Sequence, residues 1–572
     1  MSTAERVDPI EFEVVRNALV EATEEMALAL RRSAYSTNIK TRADFSCAFF
    51  DRRLRSVAQA MGQPTHLGSM VELVPRAIAA YGRENLQAGD GLLVNDPYGG
   101  GGHLNDIALI SPVYCNEEIL GFVANIAHHV DVGGGAPASV GAFREVFQEG
   151  VIIPPVKLVQ QGELNPDVLR LVLAQIRSKR ETAGDFRAQV AANITGVRRL
   201  GALATRLGSE LFERYIEELI AYTRRRTEAE MAQLPRGIFK AEGVVDSDGF
   251  TEQPVHLQVC ITIDEEGVLF DLSGSDAQRP APVNSTYAQT FSCCAYVLKC
   301  LIDPDVPVNA GFYHMVRLLA PTATVVNSAS PAPVVGGWET QIRLTDVMFK
   351  ALSQALPERI PAGTKGMICH VGFGGADPQT GDYYCFLETV AGGYGGRAAS
   401  DGPDAVQTHG QNTENAPVEE TEINYPVRIT RYELVNDSEG AGKYRGGLGL
   451  RRDYLFSGPT SFTVLADRDR WGPWGLFGGE AGRKASYILN PEGDAEELSS
   501  KVTLQLQTGD VVSYRTCGGG GYGRARERAL EKVLQDVRQG KVSVARAREI
   551  YGVAIDATGQ VDAAETARLR GP

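Results

Sequence analysis

Apolar residues recur at steps of three and four along the start of the chain, with Glu and Arg between them. This spacing places them on one face of an α-helix and predicts a helix over residues 8–34. Short apolar or alternating runs follow and predict strands, namely DFSCAFFD, GLLVND, IALISPVY and ILGFVANIAHHV. A helical stretch, LGSMVELVPRAIAAY, interrupts them. The N-terminal part is therefore predicted to mix helices and strands.

From Asn165 to about Leu234 the apolar spacing is helical throughout, which is typical of a scaffold. The segment LPRG then ends the helical pattern, and alternating runs such as VHLQVCITI predict strands. Two further helices are predicted in this middle part, from Ser285 to Leu301 and from Thr340 to Leu356. After Tyr425, β-type alternation and Gly-rich turns predominate.

These patterns predict an α+β, multi-domain mixed fold, since 572 residues exceed what one hydrophobic core usually supports. We expect an N-terminal region over 1–236 with an α/β part and a helical block. A middle α+β region is expected over 237–424. A β-rich C-terminal region with a short helical tail is expected over 425–572, and the tail is either an extension or a clamp on a neighbouring subunit.

Charge and composition narrow the classes of function. A formal net charge of −14 gives no electrostatic reason to bind nucleic acid or an anionic membrane. No stretch approaches the length of a transmembrane segment, and the opening MSTAERVDPIEFEVV lacks the order of a secretion signal. We therefore expect a cytoplasmic protein. The nine cysteines form no C-x-x-C pair and are expected to be reduced, mostly buried thiols.

The chemistry-bearing residues concentrate in LVNDPYGGGGHLNDI and NIAHHVDVGGG, which hold three of the eight histidines. His103 and Asp106 are three residues apart after a glycine run, so one turn can present both side chains to one ion. Imidazole and carboxylate are the usual ligands of Zn, Mn or Fe. A metal site is the first hypothesis, and a simple hydrogen bond between the two side chains is the alternative.

The end of the strand ILGFVANIAHHV adds two histidines that point to opposite faces, so only one of them can join that site. Asp131 would share a face with His129 in an extended strand, which suggests a hydrogen bond between them. Asp44 opens an otherwise apolar strand and is either a fourth ligand or a solvated strand-start aspartate. For His128 and His129, a core histidine bonded to backbone is the alternative.

Other motifs exclude or leave open particular chemistries. The runs GGGGHL, GGEAGRK and GGGGYG lack the Gly-Lys-Ser/Thr ending of a phosphate-binding loop, and no G-x-S-x-G elbow is present. We therefore expect neither a self-contained nucleotide site nor acyl-enzyme chemistry. The polar clusters DLSGSDAQRPAPVNS, GGWETQIRLTD and DGPDAVQTHGQNTENAPVEETE either line a substrate site or a subunit contact, or consist of turn residues without a chemical role.

Taken in order along nearly the whole chain, the motifs resemble those of the hydantoinase B/oxoprolinase family. The resemblance is carried by TRADFSCAFFD, NDPYGGGGHLNDI, ANIAHHVDVGG, DLSGSDAQRPAPVNS, GGWETQIRLTD, DGPDAVQTHGQNTENAPVEETEINYPVRI, GAGKYRGGLGLRRDY, GGGGYG and GKVSVARAREIYGV. It implies a metal pattern on His103, Asp106 and His128, with Asp44 as a fourth member, and it places His129 and Asp131 nearby. It also implies a heterotetramer with a separate hydantoinase A-type subunit that binds ATP.

The function that this resemblance implies is ATP-dependent opening of a cyclic amide such as a lactam, hydantoin or oxoproline. The partner would phosphorylate the carbonyl oxygen, and hydroxide on a metal held by Asp44, His103, Asp106 and His128 would attack the carbonyl carbon. Zinc is the first choice, with Mn or Fe compatible. The alternatives are a subunit of an ATP-dependent ketone carboxylase, and a non-catalytic scaffold for the ATP-binding partner.

Overall fold

The computed structural model describes residues 7–115 and 117–571. Residues 1–6, which form part of the opening segment considered above for a secretion signal, lie outside the described residues. The described chain mixes helices with strands in four sheets, which confirms the predicted α+β class. Within the described residues, no helix is both long enough and apolar enough to cross a membrane.

In its described residues, the N-terminal part contains a seven-stranded sheet with the order β2-β1-β5-β4-β3-β6-β7 and six α-helices. Its elements are α1 (Pro9–Ser33), α2 (Thr37–Lys40), β1 (Phe45–Asp51), β2 (Ser56–Gln59), α3 (Pro64–Tyr81), β3 (Gly91–Val94), β4 (Asp106–Cys115), β5 (Glu118–His128), β6 (Val156–Gln160), β7 (Glu163–Leu164), α4 (Pro166–Leu173), α5 (Lys179–Leu207) and α6 (Ser209–Met231). The predicted N-terminal helix and the predicted helical block are both confirmed.

Helices cover both faces of this sheet, which explains why its central strands read as continuous apolar runs rather than alternating ones. Helix α1 packs with α5 against one face, where Cys47, Phe49 and Val123 are buried. Helix α3 packs against the other face, where Phe50 and Phe122 are buried. A sheet buried on both sides holds the ends of its strands in fixed positions relative to one another.

The middle part is a four-stranded sheet with the order β11-β10-β9-β8, covered by helices on one face. Its elements are β8 (Gly237–Val245), β9 (Val255–Asp264), β10 (Gly267–Asp271), α7 (Tyr287–Leu301), α8 (Ala310–Tyr313), β11 (Val316–Leu319) and α9 (Gly337–Leu352). Strand β9 alternates buried and more exposed residues, as its sequence predicts. Helix α9 begins three residues before the predicted start, so Trp338 belongs to its first turn.

The C-terminal part contains two sheets, of orders β13-β12-β16-β19 and β14-β15-β20-β17-β18. Its elements are β12 (His370–Ala376), β13 (Tyr383–Thr389), α10 (Val418–Asn424), β14 (Val427–Leu434), β15 (Leu450–Phe456), β16 (Thr460–Leu465), β17 (Ser486–Leu489), β18 (Glu496–Glu497), β19 (Lys501–Leu506), β20 (Val511–Arg515), α11 (Leu530–Arg538), α12 (Val544–Glu549) and α13 (Ala563–Arg570). Both sheets contribute to one aromatic core around Phe373 and Tyr454.

The glycine run near residue 520 has a packing role in this part. A Cβ atom on Gly519 would lie 2.0 Å from the carbonyl oxygen of Tyr394, and one on Gly520 would lie 2.0 Å from that of Trp474. Backbone therefore packs directly on backbone, which only glycine allows.

Three of the hydrophobic cores follow the order of the chain. One gathers residues between Phe12 and Leu219, one between Met231 and Ile360, and one between Met367 and Cys517. The third core joins residues on both sides of position 424, and the division at 236 and 424 remains a prediction.

Candidate metal centre

Strands β1, β5 and β4 are neighbours in the N-terminal sheet. A candidate residue lies at the start of β4, at the end of β5 and just before β1, all at the same edge of the sheet. Asp106 is the first residue of β4 and is paired in register with His128, the last residue of β5. The backbone N–H of His128 donates to the carbonyl oxygen of Asp44, the residue before β1, at 3.0 Å. Antiparallel pairing thus brings two segments 22 residues apart in sequence to the same place.

His103 reaches this edge from the glycine-rich loop before β4. Its Nε2 lies 2.7 Å from Nε2 of His128, and its Nδ1 lies 3.0 Å from Oδ2 of Asp106. One ligand atom from each of the three side chains can be chosen so that all lie within 4.8 Å of one another. At Gly102, a Cβ would lie 2.5 Å from Oδ2 of Asp106, so glycine is required for this close approach.

The protonation of His128 and Asp106 suits a cation. Burial, and then the charge of His103, hold the pKa of His128 well below its usual value, so its imidazole is neutral. Burial alone would raise the pKa of Asp106, but the charges and hydrogen bonds of His103 and His66 hold it well below the ordinary range. Neutral imidazole and ionised carboxylate are the forms that bind Zn, Mn or Fe.

Asp44 is buried beside the group of three but is not part of it. Burial raises the pKa of its carboxyl, and the charges of His66 and Arg42 oppose that rise. Its backbone, rather than its side chain, makes the contact with His128 described above. The structure therefore brings His103, Asp106 and His128 together and leaves Asp44 at their border.

His66, which the sequence analysis did not select, is a further member of this cluster. It lies in the first turn of α3, and its Nε2 is 3.1 Å from Oδ1 of Asp106. Its other ring nitrogen, Nδ1, is buried and has no hydrogen-bond partner among the described residues. A buried polar atom without a partner is costly unless a ligand occupies it, so the residues present fit a bound cation.

The side chains of His129 and Asp131 contact other residues and not each other, which corrects the predicted hydrogen bond between them. Nε2 of His129 is 3.0 Å from Oε1 of Gln189 on α5, on the other face of the sheet. Asp131 forms an ion pair with Arg177 at 2.9 Å. Because β5 ends at His128, the chain no longer alternates regularly through these residues, and the assumption of a continuing strand was wrong.

Neighbouring side chains hold the two imidazoles in place. The indole N–H of Trp338, in the first turn of α9, donates to Nδ1 of His103. Nδ2 of Asn38 lies 3.1 Å from Nδ1 of His128 and donates to its carbonyl oxygen at 2.7 Å. Asn38 also lines an open cleft of about 610 Å³. This one residue therefore contacts both the cleft and His128.

A second acidic group, formed by Asp246, Asp467 and Asp469, has a different character. Asp467 is bonded to the guanidinium of Arg343 and lies 3.2 Å from Nζ of Lys501. Because buried cations already neutralise it, this group fits an ion-pair network rather than a metal site.

The fold and the cluster together define an α+β protein with a buried centre of histidines and a carboxylate. The chain belongs to the hydantoinase B/oxoprolinase family, whose model matches residues 8–525. It is 39% identical over 572 residues to the uncharacterized protein MJ0963 of Methanocaldococcus jannaschii, covering 99% of this chain and 100% of that protein. It is 33% identical over 581 residues to the caprolactamase subunit beta of Pseudomonas jessenii, covering 98% of each.

Among solved structures, the crystal structure of the ATP-dependent caprolactamase from Pseudomonas jessenii superposes with a TM-score of 0.92. The two chains are 30% identical, and the match covers 99% of this chain and 100% of that one. The predicted family is therefore confirmed, and so is the mixed multi-sheet fold.

Proposed function

We propose that this chain is the ring-opening subunit of an ATP-dependent cyclic amide hydrolase of the lactam, hydantoin or oxoproline type. The observation that carries the proposal is the convergence of His103, Asp106 and His128 at one buried sheet edge. Similarity to a caprolactamase subunit supports the reaction class.

An amide carbonyl in an unstrained ring is a poor electrophile. A partner subunit of the hydantoinase A type would bind ATP and use it to phosphorylate the carbonyl oxygen. The phosphorylated oxygen is then a leaving group. We propose a heterotetramer of the two kinds of subunit, in which this chain receives the activated ring. Ring opening and loss of phosphate would follow here.

The proposed ligands are His103, Asp106 and His128, with Asp44 at the border of the group. Zinc is our first choice, and Mn or Fe suit the same atoms. When bound, the metal would supply Lewis-acid chemistry that activates water as a nucleophile. Trp338 and Asn38 would orient the two imidazoles, and the ionised Asp106 would offset the charge of the cation.

Metal content of the purified chain tests the proposal. We expect Asp106→Asn to lose most of the bound transition metal, because an amide oxygen is a far weaker ligand than a carboxylate. Asp131→Asn is the matched control, since it changes another buried aspartate that pairs with Arg177. Equal metal content in wild type and Asp106→Asn, measured by elemental analysis, would contradict the proposed site.

Turnover by the pair of subunits distinguishes the remaining functions. With ATP, we expect a cyclic amide to be opened and a ketone plus bicarbonate to give no product. Stoichiometric carboxylated product from the ketone would instead support the carboxylase alternative. Turnover unchanged by His103→Ala in a metal-free chain would support the scaffold alternative.

A further inference from the structure

Two buried amide side chains next to the candidate metal centre leave one donor and one acceptor unused by the described residues. Gln289 on α7 and Gln341 on α9 are 1% and 0% exposed. Nε2 of Gln341 donates to Oε1 of Gln289 at 2.7 Å. Nε2 of Gln289 and Oε1 of Gln341 then have no hydrogen-bond partner among the residues that the structure describes. Exchanging O and N in both amides would still leave one donor and one acceptor.

This amide pair borders the proposed ligands directly. A Cβ built on Gly102 would lie 2.5 Å from both Nε2 of Gln289 and Oδ2 of Asp106, so these two atoms are at most about 5 Å apart. Gln341 lies one helical turn after Trp338, whose indole contacts His103. A molecule bound to the pair would therefore lie against the cluster.

Further uncharged groups around the same place also lack partners. Nε2 of Gln63 and Oγ1 of Thr65, on either side of the start of α3, are buried and have no hydrogen-bond partner in the described part of the chain. Oγ1 of Thr408 is likewise buried, and no described residue hydrogen-bonds to it. The segment that follows Thr408 packs between α3 and α9, because a Cβ on Gly410 would lie 3.4 Å from Thr65 and 3.9 Å from Ile342.

Two cationic side chains near this region, Arg42 and Lys365, are already engaged. The guanidinium of Arg42 donates to Asn38, Thr389 and two backbone carbonyl groups. Nζ of Lys365 donates to two backbone carbonyl groups and to Gln407. A ligand carboxylate would have no free counter-charge from these two side chains, and burying it unpaired would be costly.

We propose that Gln289 and Gln341 determine substrate specificity by binding a second, unactivated amide group of a neutral ring. This inference rests on the proposed function and deepens it. Phosphorylating the carbonyl of a simple lactam leaves no free carbonyl, whereas a ring with two amide groups keeps one N–H and one C=O. These match the unused acceptor and donor of the pair. A ring that carries a carboxylate is disfavoured.

Calorimetric binding to the full-length, metal-loaded chain tests this proposal with three probes: hydantoin, 2-pyrrolidinone and 5-oxoproline. We expect hydantoin, which can place one amide group at the metal and the second on the Gln pair, to bind about tenfold more tightly than 2-pyrrolidinone, whose single amide group cannot occupy both places. Tenfold is the difference that a pair of hydrogen bonds commonly makes, and we expect 5-oxoproline to bind most weakly. Equal binding of 5-oxoproline and hydantoin, or no binding of any probe, would overturn the proposal.

Substitutions test whether Gln289 and Gln341 are the residues that bind the second amide group. Gln289→Leu and Gln341→Leu should each weaken hydantoin binding about tenfold and leave 2-pyrrolidinone binding unchanged. In turnover with the partner, KM for hydantoin should rise more than kcat falls. Gln289→Met and Gln341→Met repeat the test with a side chain closer in shape to glutamine, in case the leucine variants fail to fold. Gln354→Leu, an exposed position just beyond α9, is the matched control.

Metal content separates failure of this inference from failure of the proposed function. If the Gln variants keep their metal and bind hydantoin as wild type does, the specificity proposal is wrong while the ring-opening function stands. If wild type holds no metal and the pair of subunits opens no ring, the proposed function fails and this inference fails with it.

Discussion

At the scale of single residues, the cluster depends on glycine and on burial. Gly102 lets His103 approach Asp106, and burial keeps the imidazole of His128 neutral. The glycine run and the His-x-x-Asp step are visible in the sequence, so this part of the site could be predicted. His66 could not be selected in this way, because it lies in a helix whose contact with Asp106 is formed by long-range packing.

His66 and His129 provide a matched pair for a first prediction. We expect His66→Ala to weaken metal affinity by about 10- to 100-fold, the usual effect of removing a partner of a metal ligand. His129→Ala also removes a buried imidazole, but one that contacts Gln189 on the other face of the sheet. Metal titration of both variants measures the difference. Equal losses would show that His66 acts only through folding.

Glu149 leads to a prediction of pH dependence. Its Oε1 accepts the backbone N–H groups of Val334 and Val335, and burial raises its pKa from 4.5 to about 8. The folded state therefore binds this proton more tightly than the unfolded state does. The contribution of this carboxyl group to the stability of the folded state is therefore complete below pH 4.5. It is lost as the pH rises to about 8.

The variant Glu149→Gln should remove this dependence, because it keeps the acceptor oxygen without a charge. Above pH 8, we expect it to exceed wild type in stability by on the order of 4 kcal/mol. Thermal unfolding measured from pH 5 to pH 9 tests the slope. The exposed Glu163→Gln should unfold like wild type at each pH, and an unchanged slope in Glu149→Gln would contradict the raised pKa.

At the scale of elements, periodicity predicted the helices and strands well because each pattern is local. Helix α1 begins after Asp8, whose carboxylate accepts two backbone N–H groups, close to the predicted start. The start of α9 was placed too late, since its two leading glycines are weak helix formers. That difference matters, because Trp338 contacts His103 only as part of the first turn of α9.

Gly336, immediately before α9, provides a prediction for this element. A Cβ there would lie 1.6 Å from the carbonyl oxygen of Pro282, which is fixed backbone. We expect Gly336→Ala to lower the free energy of unfolding by about 2 kcal/mol or more. Because this clash would displace the start of α9, and with it the contact of Trp338 with His103, we also expect weaker metal binding. Urea unfolding and metal titration measure the two effects.

Gly201, within α5, is the control for that substitution. A Cβ there would lie 3.9 Å from the carbonyl oxygen of Tyr114, which is an ordinary van der Waals contact. Gly201→Ala should therefore be neutral or should stabilise the protein by up to about 1 kcal/mol, because alanine is the better helix former. A loss of stability equal to that of Gly336→Ala would contradict the steric argument.

At the scale of the whole molecule, buried charges join the middle and C-terminal parts of the chain. Asp467 follows β16, and its carboxylate contacts Arg343 of α9 and Lys501 at the start of β19. It also accepts the backbone N–H of Asp246, just beyond β8, at 2.9 Å. This set of contacts spans more than 200 residues in sequence, which is why no local pattern predicted it.

Asp467→Asn should therefore destabilise the protein by about 3–5 kcal/mol, because it leaves two buried cations without their shared counter-charge. Asp167→Asn, which breaks the exposed pair with Arg170, should change stability by less than about 0.5 kcal/mol. Urea unfolding of both variants at low and high salt provides the measurement. Since the pairs of Asp467 are shielded from solvent, its large effect should persist at high salt. A small effect that disappears with salt would mean that these charges are solvated and do not hold the two parts together.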